Sequence, residues 1–187
     1  MGLVVKVPCG HFGIACQRPL TQRYVLGVEV DIFSIIKKLL RSTPAEPDLI
    51  HDFFGPLHSE AVGDEDDFWQ AELIFEPTGE EICINIIAGL EGPTESHVNF
   101  YVWFLENYES EFDRVSVSLI NEFEAWFQKE INGPFLKNFE FSSLTIPKNG
   151  DINNFWEISF ECMAEPNQHL FTVQLKENQV QNVCADG

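Results

Sequence analysis

Two runs of strand-forming residues, Phe68 to Glu76 and Glu81 to Ala88, flank Pro77-Thr78-Gly79-Glu80, where Pro and Gly supply the geometry of a tight turn. In the second run Ile82, Ile84 and Ile86 alternate with Cys83, Asn85 and Ile87, the period of a pleated strand. A hairpin here commits the chain to a sheet, and the C-terminal residues continue the rhythm. Phe139 to Ile146, Asn154 to Met163 and Leu170 to Lys176 are strand-like, separated by Asn149-Gly150 and by Glu165-Pro166-Asn167. With a last short strand near Val180 to Val183, they form an antiparallel meander.

Between hairpin and meander, residues 94–131 carry helical spacing and predict two helices. Val98, Tyr101, Val102, Leu105 and Tyr108 mark the first; Phe112, Val115, Leu119, Phe123, Trp126 and Phe127 mark the second. A turn over Asn107 to Ser110 would divide them, with Ser110 as cap and Asp113 three residues on. Strands that cluster rather than alternate singly with helices favour an α+β fold, a largely antiparallel sheet packed against a helical pair. Trp69, Trp103, Trp126 and Trp156 are expected to meet between the two layers.

The first 67 residues are expected to form an N-terminal strand and helix segment with an acidic connection, and residues 68–187 the α+β core. Leu3 to Val7 and Arg23 to Val30 are strand-like. Asp31 can cap a helix with apolar positions Ile32, Ile35, Ile36, Leu39 and Leu40, and Lys37, Lys38 and Arg41 suit its C-terminal dipole. Residues 48–67 are expected to be a long acidic connection ending in Asp64-Glu65-Asp66-Asp67.

Charge narrows the function. The chain of 187 residues has 11 Lys and Arg against 30 Asp and Glu, a formal net charge of −19. Residues 1–41 carry +4, residues 42–147 carry −19 and residues 148–187 carry −4, so the basic head could fold back on an acidic body. Phosphate recognition needs a basic face, so neither a nucleic-acid nor an anionic-membrane partner is expected. A basic protein partner is, with Asp64, Glu65, Asp66 and Asp67 as one contact group and Glu106, Glu109, Glu111 and Asp113 as another. If the helix ran unbroken, Glu106, Glu109 and Asp113 would lie along one stripe. Like charges three and four apart cost an isolated helix a few tenths of a kcal/mol per pair, which hints at selection for negative potential. A turn over Asn107 to Ser110 would dissolve the stripe and the hint together.

Signatures for chemistry are sparse. There is no phosphate-cradling G-x-x-x-x-G-K-[ST], no G-x-G-x-x-G, no G-x-S-x-G and no H-E-x-x-H. His58-Ser59-Glu60 supplies only half of a zinc deaminase pattern, because no P-C-x-x-C follows. Cys9, His11 and Cys16 could offer soft ligands, but no C-x-x-C pair completes a structural zinc site. Asp48, His51, Asp52, His58 and Glu60 could approach a divalent cation, although Gly55-Pro56 prevents the two histidines from sharing a helical face. No metal or cofactor is expected. Five scattered cysteines do not suggest a disulfide framework, and no signal peptide is evident, so the expected compartment is a reducing cytoplasm.

Phe68-Trp69 leading the hairpin, two aromatic-rich helices, Trp156-Glu157-Ile158-Ser159-Phe160, His169-Leu170-Phe171-Thr172-Val173 and a closing Asp186-Gly187 make up a pattern. In these features residues 68–187 resemble small bacterial proteins of unknown function, several families of which occur beside polymorphic toxins and are regarded as immunity proteins. The resemblance implies an inhibitor that masks a basic, nuclease-like toxin. It carries over no catalytic residue, although His169 and Asp186 fall at polar positions of the pattern. The alternatives are an enzyme in which His51, His58, His97 or His169 converges with carboxylates, and a self-associating structural subunit with aromatic surface.

Overall fold

The computed structural model describes residues 46–60, 68–165 and 169–186; the expected elements of residues 1–45 and the acidic run Asp64 to Asp67 lie outside them. The strands are β1 (Leu49–His51), β2 (Gly55–Glu60), β3 (Phe68–Phe75), β4 (Glu80–Ile87), β5 (Phe139–Ile146), β6 (Trp156–Cys162), β7 (Leu170–Lys176) and β8 (Gln179–Asp186). Helix α1 (Glu95–Phe127) separates β4 from β5, and a single turn of helix, α2 (Phe135–Asn138), leads into β5. The eight strands form one sheet in chain order. Every neighbouring pair is antiparallel except β4 and β5, which run parallel. Parallel neighbours require a long crossover, and α1 is that crossover.

The β3–β4 hairpin forms where Pro77 and Gly79 predicted it. Gly79 takes a φ of 74° and its amide closes the turn on the Phe75 carbonyl at 2.8 Å. Residues 48–60, expected as part of a long acidic connection, contain two short strands. His51 Nδ1 accepts the Phe53 amide at 3.1 Å, Gly55 adopts a φ of 74°, and β1 and β2 pair across that turn. β2 then changes partner, its residues from His58 onward pairing with β3, so this segment belongs to the same sheet as residues 68–186. Among the described residues of these short strands only Leu57 is buried, which leaves little periodicity for a sequence to display.

The expected helical pair is a single helix of 33 residues. No Gly or Pro interrupts residues 95–127. The polar residues that suggested a turn satisfy themselves within the helix: Asn107 Nδ2 donates to the Trp103 carbonyl, and Ser110 Oγ donates to the Asn107 carbonyl, both at 2.8 Å. Thr94, not Ser110, is the N-terminal cap.

The helix lies along one face of the sheet. Phe100 packs on Trp156, Phe104 on Phe75, Phe112 on Phe141 and Phe160, and Phe123 on Phe139 and Phe171, with ring centres 4.9–6.3 Å apart across the cluster. Ile82, Ile84, Ile86, Leu144, Ile158 and Val173 fill the same layer. Burying side chains of this size contributes roughly 1.5–3 kcal/mol each. Trp156, Trp103 and Trp69 belong to this core or its margin, whereas Trp126, expected among them, is 44% exposed. Trp69 tethers the end of β4 by donating from Nε1 to the Gly89 carbonyl at 3.0 Å.

Candidate functional site

A continuous helix presents two stripes, and its apolar one is used up on the sheet. On the opposite side Val102, Glu106, Glu109, Asp113 and Val117 are exposed at steps of three and four, which places them on one solvent face. Glu106, Glu109 and Asp113 therefore form a row of carboxylates flanked at each end by an exposed valine, with Val117 64% exposed.

Glu111 does not share that row. It turns toward the sheet, is 6% exposed and pairs with Arg114. Arg114 in turn donates from Nη1 to Asn178 Oδ1 at 2.7 Å, in the β7–β8 turn, and its guanidinium carbon stands 6.0 Å from the Trp156 ring centre. Burial pulls the Arg114 guanidinium below its ordinary range. This cluster fastens the middle of α1 to the β7–β8 turn at the edge of the sheet. The sequence offered no sign of the difference between Glu109 and Glu111 once a turn was expected between them.

The histidines do not converge. His51 sits in the β1–β2 turn, and His58 is paired with Gln70 on the sheet. His97 is buried at the start of α1, bonded to Thr94 and to the Ile87 carbonyl, and desolvation lowers its pKa. His169 lies against Phe127 and Trp126 at the other end of the helix. About 30 helical residues separate these two positions, some 45 Å at 1.5 Å per residue. Among the described residues no group of three or more His, Cys, Asp or Glu could hold a metal ion.

One open cleft of about 330 Å³ lies between the β3–β4 turn and α2, lined by Thr78, Glu80, Lys137, Glu140 and Met163 among others. Its lining among the described residues contains neither His nor Cys. Cys83 and Cys162 are buried, as their positions in strands suggested, and burial pushes the Cys162 thiol up. Among the described residues no helix is long and apolar enough to cross a membrane.

No family model, curated protein or solved structure matches this chain.

Proposed function

We propose that the protein is an acidic protein-binding domain, of the immunity type, that masks a basic surface on a toxin or nuclease in the cytoplasm. The observation that carries this reading is the exposed row Glu106, Glu109 and Asp113 on the solvent face of α1. Three carboxylates at this spacing raise the energy of the helix. They do nothing for the core, which lies on its other side. Opposed to a basic partner, they would steer association at long range and add to the attraction exerted by a net charge of −19. The second acidic group, Asp64, Glu65, Asp66 and Asp67, is proposed to extend the same field.

The test is a paired capture from lysate of the source cell, with the wild-type chain and a Glu106→Gln/Glu109→Gln/Asp113→Asn chain as baits. A basic protein held by the wild type at low salt, released at high salt and lost by the variant supports the proposal. Equal capture by both baits contradicts it.

A further inference from the structure

An asparagine followed by glycine is chemically labile, because no side chain shields the second residue's nitrogen from the asparagine amide and the glycine backbone turns freely. The chain contains this pair twice, at Asn132-Gly133 between α1 and α2 and at Asn149-Gly150 between β5 and β6. The fold holds the two very differently.

Asn149-Gly150 is locked. The Gly150 amide donates to the Pro147 carbonyl at 2.8 Å, so its hydrogen is engaged. Asn149 has a φ of 60° and a ψ of 17°. A ψ near zero turns the Gly150 nitrogen toward the amide nitrogen of Asn149 and away from its side chain. Rotation out of this arrangement is obstructed, because a β-carbon at Gly150 would run into the Ser96 carbonyl at the start of α1.

Asn132-Gly133 has none of these restraints. Both residues are exposed and lie outside helix and strand. Among the described residues nothing accepts the Gly133 amide hydrogen, and a β-carbon at Gly133 would meet open space. Asn132 Nδ2 reaches the Glu130 carbonyl only at 3.4 Å. Asn138 Nδ2 donates to the Asn132 carbonyl at 3.2 Å, an exposed bond that water can replace.

We propose that Asn132 is a site of spontaneous deamidation in the folded protein, and that Asn149 is shielded from the same reaction until the chain opens. Hydroxide takes the Gly133 amide proton, and the freed nitrogen attacks the side-chain carbonyl carbon of Asn132. A C–N bond forms and closes a succinimide ring; the bond to Nδ2 breaks, and Nδ2 leaves as ammonia with a proton from water. A water molecule then opens the ring at either carbonyl, giving aspartate or isoaspartate. The segment joining α1 to α2 thereby gains a negative charge, and isoaspartate also routes the backbone through its β-carbon. The reaction involves no residue of the carboxylate row and stands apart from the binding proposal.

The test incubates the intact chain in warm, mildly alkaline buffer beside a second sample in urea, and follows both Asn-Gly peptides by digestion and mass. Circular dichroism verifies that the first sample stays folded. There Asn132 should convert roughly tenfold or more faster than Asn149, which reacts only through local opening. In urea the two rates should converge. Equal rates in the folded chain, faster conversion at Asn149, or a preference for Asn132 that persists undiminished in urea would overturn the inference.

Discussion

His97 Nε2 lies 3.1 Å from the Ile87 carbonyl oxygen, and His97 Nδ1 lies 2.9 Å from the Thr94 amide nitrogen. The amide must donate, so Nδ1 is the acceptor and Nε2 carries the hydrogen that Ile87 accepts. One neutral imidazole thereby joins the end of β4 to the cap of α1, at the start of the crossover.

A protonated His97 loses the acceptor and places a cation at the positive end of the helix. In the folded chain its pKa is lowered, chiefly by desolvation, from the ordinary value near 6.5 that holds when unfolded. The unfolded state therefore takes up the proton first as pH falls. The stabilisation is complete above about pH 6.5 and declines below it. His97→Ala is expected to cost about 1–3 kcal/mol at neutral pH. Urea unfolding of both chains should show that difference shrinking towards pH 5; a constant difference would refute the assignment.

Continuity of α1 is tested at Ser110. A proline there would remove a backbone hydrogen bond and press against the carbonyl of the preceding turn, at a cost of about 3 kcal/mol or more. Ser110→Ala should be tolerated, within about 0.5 kcal/mol. If the chain were two helices with Ser110 between them, proline would be mild. Denaturant midpoints separate these outcomes.

Glu111 and Glu109 should behave oppositely. Glu111→Ala leaves the half-buried Arg114 without its carboxylate and is expected to cost roughly 1.5–3 kcal/mol. Glu109→Gln, in the exposed row, should change stability by less than about 0.5 kcal/mol, or raise it slightly by relieving repulsion. The same unfolding measurement checks both.

Gly150 marks a close approach. A β-carbon there would stand 2.1 Å from the Ser96 carbonyl oxygen, and the backbone already has a φ of +61°. Gly150→Ala is expected to destabilise by more than about 1 kcal/mol. A neutral effect would show that the turn after β5 does not rest on the start of α1.

The sequence made the strands after Phe68 legible because alternation and turn residues agree: β5 and β7 have the bounds that the pattern predicts, and the β3–β4 turn uses the expected Gly79. It misdirected where local chemistry has two outlets. Asn107 and Ser110 can serve either a turn or helix back-bonds, and in the folded chain they back-bond within the helix while Phe104 and Phe112 pack in one layer. β1 was hidden because a strand of three residues carries no period, and β2 because it opens on Gly55-Pro56, which reads as a break. For the candidate site, a row of Glu106, Glu109 and Asp113 was legible as conditional on an unbroken helix. The inward turn of Glu111 depends on Arg114 and Asn178, and Asn178 is 64 residues from Arg114 in the chain.

The most direct test of the binding proposal is the affinity of a captured basic partner for the wild-type chain and for one with both acidic groups, Asp64 to Asp67 and Glu106, Glu109 and Asp113, neutralised to amides. It is measured across a salt series. The account requires wild-type binding that weakens steeply with salt, and a neutralised chain with slower association, lower affinity and a flatter salt dependence. Nanomolar affinity retained by the neutralised chain would contradict it.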